Sequence, residues 1–264
     1  MIRLVTKYWR TMLMVANITF RLQVMDTFIL FGILVQPMII ALLAMWMLQG
    51  KGADAAIFVV VGSGMTGLWS TLLFVGGNSI NDERWEGTLE SLIAVPTPLS
   101  LIIFSKNIAS VVQSLLSMIV SYLFISFAFN YPLHLNNPLL FFISLVFTIF
   151  AFICFGLILS PIFLVSPGVH RFQNAMEFPV YILSGFLFPI ILLPGWTTPI
   201  SYLLPTYWAA EALHGTSSGH ATFEQILFYW AMLIVFSLLY LIGANLLFKR
   251  VLVKARKDAS LSLE

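Results

Sequence analysis

Residues 55–80 read AAIFVVVGSGMTGLWSTLLFVGGNSI, and no charged side chain occurs between Asp54 and Asp82. An α-helix needs roughly 20 apolar residues to cross the hydrocarbon core of a bilayer. The stretch is long enough for one such crossing, and it lacks the strict alternation of a transmembrane barrel strand. It therefore predicts a membrane-spanning helix.

The rest of the chain has the same character. Of its 264 residues, 60% are hydrophobic and only 9% are charged, and the mean hydropathy is +0.97. A soluble domain carries about 25% charged residues. Because a soluble globule of this length could not bury so much apolar surface, the composition predicts an all-α, polytopic membrane protein that forms a single domain over residues 1–264.

Six transmembrane helices are predicted when the same criterion is applied along the chain. The long uncharged interval after Lys106 exceeds one crossing and is divided by a cluster of asparagines and prolines at 130–138. The predicted spans are 27–48, 55–80, 108–129, 138–163, 176–194 and 223–248. Residues 1–26 are expected to form an interfacial helix, because basic residues are mixed there with aromatic residues such as Trp9 and Phe20. A basic leader that only fixes the topology is the alternative.

The distribution of basic residues predicts the orientation. Twelve of the 13 lysines and arginines fall on one side of the predicted topology, and Lys51 alone falls on the other. Since cytoplasmic segments are enriched in Lys and Arg, both termini are expected in the cytoplasm, with residues 249–264 as a cytoplasmic tail.

The loop between the second and third spans is predicted to form one amphipathic helix from Glu83 to Val95, ended by Pro96. Gly87 inside it would cost about 1 kcal/mol relative to alanine, which suggests close approach of another backbone. A connector lying on lipid is the alternative, but carboxylates facing an anionic leaflet favour a protein partner. The apolar stripe is Trp85, Leu89, Leu92 and Ile93, and the glutamates on another side are Glu83, Glu86 and Glu90.

Two motifs carry a resemblance to a known family. The run ERWEGTLE at 83–90, followed by PTPL at 96–99, resembles the cytoplasmic loop of type-2 ABC exporter permeases. A second set resembles the fifth span and external segment of the same family. It comprises Pro179, Ser184, Gly185, Pro189, PGW at 194–196 and LPTY at 204–207.

The resemblance implies a permease subunit in the cytoplasmic membrane of a prokaryote. It implies a second permease subunit, identical or homologous, and two ABC ATPase subunits that bind ATP and Mg. The expected cargo is hydrophobic or amphipathic (a drug, antibiotic, peptide or lipid), with a polysaccharide or lipid-linked glycan as the alternative. The resemblance also implies that the helix from Glu83 to Val95 is the coupling helix, which sits in a groove of the ATPase subunit. The residues expected to contact the ATPase are Glu83, Arg84, Trp85, Glu86, Gly87, Thr88, Leu89 and Glu90.

Other function classes find less support. The sequence lacks the glycine-rich phosphate loop that ends in Gly-Lys-Ser/Thr, so no nucleotide site is expected in this chain. A single cysteine, Cys154, excludes a cysteine-based metal site within the chain, and no cofactor or nucleic-acid partner is expected. An ion-coupled transporter would carry ionisable groups in mid-membrane, whereas Glu177 and Lys106 are expected near membrane edges. Ser63 and Ser184 lack the pattern of an intramembrane protease, and Ser63 and Gly67 are expected to be helix-packing positions.

The segment between Pro194 and Phe223 is too apolar for a free loop and too often interrupted by proline for a crossing. It is expected to form two short helices that dip into the outer leaflet and cap the exit of the pathway, with Glu211 and His214 nearer the surface. A peripheral interfacial loop is the alternative. The residues of this exit segment are Pro194, Gly195, Trp196, Pro205, Tyr207 and Glu211.

Overall fold

The computed structural model describes residues 2–47, 53–130, 135–165 and 169–258, and its elements within those ranges are helical, as the all-α prediction requires. Predicted features at Lys51, at residues 131–134 and in the tail beyond residue 258 lie outside the described residues. The helices are α1 (Ile2–Met25), α2 (Thr27–Met47), α3 (Ala53–Thr71), α4 (Ser79–Trp85), α5 (Leu89–Ala94), α6 (Leu99–Phe129), α7 (Pro138–Val165), α8 (Val169–Leu183), α9 (Thr198–Tyr202), α10 (Pro205–Ser218) and α11 (Phe223–Asp258).

Five helical segments of the described chain are long and apolar enough to cross a membrane, which confirms a polytopic membrane protein. They correspond to the predicted spans one to four and six. The segments are Ile29–Met47, Ala55–Trp85, Leu99–Phe129, Pro138–Leu164 and Phe223–Arg250.

The predicted span 176–194 is not one continuous helix. The structure has α8 instead, which begins earlier and has 15 residues, a length of about 22 Å. Gly185, at φ +71°, ends it. The amides of Gly185 and Phe186 donate to the carbonyls of Ile182 and Tyr181, which is the Schellman arrangement of a helix C-terminus.

Two other boundaries have clear local causes. Asp26 separates α1 from α2, and its side chain caps α2 by accepting from the amide of Ile29 at 3.3 Å. Helix α6 begins at Leu99, well before the predicted residue 108, directly after Pro98 in an extended conformation; it runs through Lys106, which is paired with Glu83.

Helix α3 lies in the centre of the bundle, and small residues let its neighbours approach closely. A Cβ atom added to Gly67 would lie 2.4 Å from Oγ of Ser117 in α6, and the hydroxyl of Ser63 donates to the carbonyl of Val59 in its own helix at 2.7 Å. Gly67 therefore lies at a close helix contact and Ser63 is fully buried, which agrees with the expected packing positions.

The continuation of α3 contains a π-helical turn, Leu72–Gly76. The amide of Gly77 donates to the carbonyl of Leu72 at 2.8 Å, which spans five residues where an α-helical bond spans four. The chain then continues through α4, so the loop at residues 83–98 is attached to the central helix through this turn.

Candidate functional site: the loop at residues 83–98 and the exit segment

The loop at residues 83–98, with the end of α4 that leads into it, contains two short helices where the sequence predicted one. Helix α4 ends at Trp85 and α5 begins at Leu89. Between them, Gly87 adopts φ +70°, a conformation that disfavours any residue with a Cβ atom. The amides of Gly87 and Thr88 donate to the carbonyls of Arg84 and Glu83, at 3.2 and 2.9 Å. Gly87 is thus a helix-terminating residue, and an added Cβ atom would meet nothing within 4 Å.

The break separates the residues of the predicted apolar stripe. Trp85 is 69% exposed, whereas Leu89 is 2% exposed. Leu89 packs with Ile80, Ile103 and Phe248 in a hydrophobic cluster that joins α4, α5, α6 and α11. The prediction of one continuous stripe was therefore wrong, since Leu89 anchors the loop while Trp85 projects from it.

The charged residues of the loop also differ in their surroundings. The Glu83 carboxylate accepts from the Lys106 ammonium and from the Thr88 hydroxyl. Arg84 has a buried Nε without a hydrogen-bond partner in the described part of the protein. Glu86 is exposed, and the side chain of Glu90 lies outside the described side chains. The predicted acidic face is therefore partly neutralised within the chain.

After α8 the chain leaves the bundle at Ser184 and returns to the same point at Thr206. Residues 185–205 are called the excursion, and they include the start of the exit segment. The hydroxyls of Ser184 and Thr206 hydrogen bond directly, although the two residues stand on either side of the excursion. The excursion contains the 3₁₀ turns Ile190–Leu192 and Gly195–Thr197 and then α9. Helix α10 follows, and at its end the Ser217 carbonyl accepts from the amide of Asn136 at 3.2 Å.

The predicted exit residues fall into an exposed and a packed group. Pro194, Gly195 and Trp196 are exposed, and Trp196 is 72% exposed. Pro205 begins α10, where its fixed φ suits the first helical position, and Tyr207 is buried. The half-buried Glu211 hydrogen bonds Tyr229.

His214 is buried between α10 and its neighbours. Its ring stacks on Phe58 of α3 with a centroid distance of 3.8 Å. Its Nε2 atom lies 3.1 Å from the carbonyl oxygen of Phe186. The residue thereby attaches α10 to both the central helix and the start of the excursion.

A buried polar cluster around Glu177 was missed by sequence reasoning. Glu177 is 7% exposed, and its Oε1 accepts from Gln36, Ser70 and Tyr181 at 3.0, 2.7 and 2.7 Å. Gln36 lies near the middle of α2, so Glu177 is not at a membrane edge as predicted. The spacing of Gln173, Glu177 and Tyr181 along one face of α8 was the available signal, since all three bond to α3 or its continuation.

Comparison with known proteins gives the family. The model of the ABC-2 type transporter family matches residues 10–217, from α1 to the last turn of α10. ABC transporter G family member 20 of Dictyostelium discoideum is 28% identical over 181 residues, which are 69% of this chain and 24% of that protein. The chain thus spans about a quarter of that relative.

An ABC-2 membrane domain is a transmembrane permease component that generally lacks a nucleotide site of its own, and the family implies association with ABC ATPase subunits. The long apolar helices agree with a multi-pass permease of this kind. The chain belongs to the ABC-2 type transporter family.

Proposed function

We propose that this chain is the permease subunit of an ATP-driven exporter and that a separate ABC ATPase docks on its loop at residues 83–98. The cargo is hydrophobic or amphipathic, and ATP and Mg bind to the ATPase. The observation that carries the proposal is the projecting Trp85 at the break between α4 and α5, in a chain whose family works with ABC ATPases.

Trp85 has the properties of an interface anchor. Tryptophan is enriched among the few residues that supply most of the binding energy at interfaces. The side chain projects from a loop that Leu89 and Glu83 hold to the bundle, so little ordering is needed when a partner binds. An apolar pocket on the ATPase is the complementary surface.

Replacing Trp85 by alanine tests the docking role. We expect the affinity for the ATPase to fall by about 2 kcal/mol, or about 30-fold, as for a hot-spot residue. The readout is the amount of a copurifying chain that hydrolyses ATP when the tagged permease is isolated in detergent. Trp196→Ala is the matched control, since Trp196 is equally exposed in the exit segment. Equal ATPase recovery from both variants would refute docking through Trp85.

The proposed topology has six crossings and both termini in the cytoplasm. Helix α8 makes the fifth crossing together with the non-helical residues that follow it, and α1 lies in the inner interface with Trp9 and Leu13 exposed to lipid. An even number of crossings keeps the basic end of α11 inside. This arrangement makes the whole of 1–264 one transmembrane domain.

Cysteine labelling in intact cells tests the orientation. In a Cys154→Ala background, a cysteine at Asn136 should react with a membrane-impermeant maleimide, and one at Ser91 should react only after permeabilisation. Both positions are exposed in the structure, so access depends on the side of the membrane. The reverse pattern would overturn the orientation.

The excursion and α10 are proposed to dip into the outer leaflet and cap the exit. The contact between Ser184 and Thr206 supports this, because it joins the two ends of the excursion beside α3. Cysteines at both positions, once oxidised, should stop efflux of a fluorescent amphipathic dye while the complex still binds ATP. Undiminished efflux in the crosslinked protein would support a peripheral loop instead.

Two alternatives have less support. Family membership favours ATP over an ion gradient as the energy source, although Glu177 is the group that an ion-coupled mechanism would use. Export of a polysaccharide or lipid-linked glycan stays an alternative for the cargo. A second permease subunit, identical or homologous, completes the proposed complex in a prokaryotic cytoplasmic membrane.

A further inference from the structure

The ion pair between Glu83 and Lys106 joins the cytoplasmic loop to the start of α6. Glu83 lies in the last turn of α4, and Lys106 lies about two turns into α6. Their side chains are only 14% and 17% exposed, respectively. The same carboxylate accepts from the hydroxyl of Thr88, which follows the break. The Glu83 carboxylate, which lies before the break at Gly87, therefore contacts both α6 and the residue that follows the break.

The contacts continue from Lys106 to the N-terminal helix. The hydroxyl of Ser110, one turn further along α6, donates to the carbonyl of Lys106 at 3.1 Å. The same hydroxyl accepts from Nε2 of Gln23 in α1 at 2.8 Å, and Gln23 is buried. The loop, α6 and α1 are thus connected through a continuous series of polar contacts.

We propose that Glu83 and Lys106 are positioning residues that fix the loop to α6, so that a force on the loop moves α6 and α1 together. The inference rests on the proposed docking of an ATPase, but it assigns Glu83 to a partner within this chain. Glu83 would then transmit movement from the loop to α6 without itself binding the ATPase.

Partial burial explains why the pair can act in this way. Fully exposed ion pairs contribute little, because water screens them and the side chains lose entropy. When a buried pair loses one member, the remaining charge is left without compensation, so the loss exceeds the contribution of the intact pair. A reversed pair keeps the attraction, and the hydroxyl of Thr88 can accept from a lysine as readily as it donates to a carboxylate.

A charge-reversal cycle tests the proposal. The variants are Glu83→Lys, Lys106→Glu and the two together, with Lys249→Glu as the control, since Lys249 is exposed near the end of α11 and lies outside the proposed docking loop. Two properties are measured. One is amide hydrogen exchange of residues 84–98 in the permease alone in lipid nanodiscs. The other is ATP hydrolysis per bound ATPase in the complex copurified from detergent.

Each single reversal should raise loop exchange and lower hydrolysis per bound ATPase by about tenfold, the equivalent of about 1.4 kcal/mol. The amount of bound ATPase should change much less, because Trp85 is intact. The double reversal should recover both properties to within about threefold of wild type, since coupled residues are non-additive. The control should match wild type.

Three results separate the possible explanations. A double reversal as defective as the single variants would overturn the proposal. The proposal would also be overturned if Glu83→Lys abolished ATPase binding and Lys106→Glu left it unchanged, because Glu83 would then contact the ATPase directly. If no ATPase copurifies but loop exchange follows the cycle, the positioning role holds and the proposed docking fails.

Discussion

Substitutions at Gly87 distinguish two explanations for a glycine in the loop at residues 83–98. The sequence suggests that a partner's backbone approaches the residue closely. The structure gives a different reason, because the residue has φ +70° and open space where a Cβ atom would lie. The two explanations predict opposite orders for Gly87→Ala and Gly87→Asn. Close approach penalises the larger asparagine more, whereas backbone conformation penalises alanine more, since asparagine tolerates the left-handed region.

The magnitude follows from the backbone. A left-handed conformation costs an ordinary L-residue about 1 kcal/mol relative to glycine. Gly87→Ala should therefore open the turn about fivefold more often. Gly87→Asn should stay within about twofold of wild type. The hydrogen bond from the Thr88 amide to the Glu83 carbonyl, 2.9 Å long, reports on this opening.

Hydrogen exchange of the Thr88 amide measures the opening directly. The permease is examined alone in nanodiscs and again with bound ATPase, so that an effect of the partner can be separated from an effect of the turn. Thr88→Ser, which retains a hydroxyl, serves as a control for the assay. If Gly87→Asn exchanges faster than Gly87→Ala in the permease alone, the conformational explanation is wrong.

Three further substitutions have definite expected outcomes. Gly62→Ala should displace the start of the excursion and lower the melting temperature in detergent, because its Cβ would lie 1.9 Å from the carbonyl oxygen of Phe186. An unchanged melting temperature would contradict this clash. Thr222→Ala should destabilise the first turn of α11 by about 1 kcal/mol, since its hydroxyl caps that turn; hydrogen exchange there should rise, and Thr222→Ser should restore protection. Ser144→Ala should lower the melting temperature slightly, because the indole of Trp230 loses a partner at 2.9 Å; an unchanged melting temperature would show that this hydrogen bond contributes nothing to stability.

The apolar spans were predictable because composition alone determines them. A run such as 55–80 has no alternative to crossing the bilayer, so its existence follows from its length. The exact ends of the helices were harder to predict where a charged residue is paired with another charged residue. Lys106 looks like the end of a membrane segment, but it lies inside α6 and its charge is paired with Glu83, a residue distant in sequence.

The two helix breaks show a different limit. Gly87 and Gly185 both terminate helices through the same hydrogen-bond pattern, and a glycine at the end of an amphipathic run is a known signal for this. Apolar spacing around both residues suggested that the helices continued. The Glu177 cluster was missed for another reason, since Gln36, Ser70 and Tyr181 come from three separate helices.

The π-helical turn at Leu72–Gly76 makes the spatial relation between the two ends of the central helix depend on a single residue. Each residue of an α-helix advances the chain by about 100° and 1.5 Å. Deleting one residue from this turn would restore ordinary α-helical bonding and still leave enough apolar length to cross the membrane. It would also rotate α4 by about a quarter of a revolution and carry Glu83 away from Lys106. A one-residue deletion here would therefore leave the hydropathy of the span almost unchanged but would break the contact between Glu83 and Lys106. A compensating insertion of one residue before Ser79 would restore the orientation of α4.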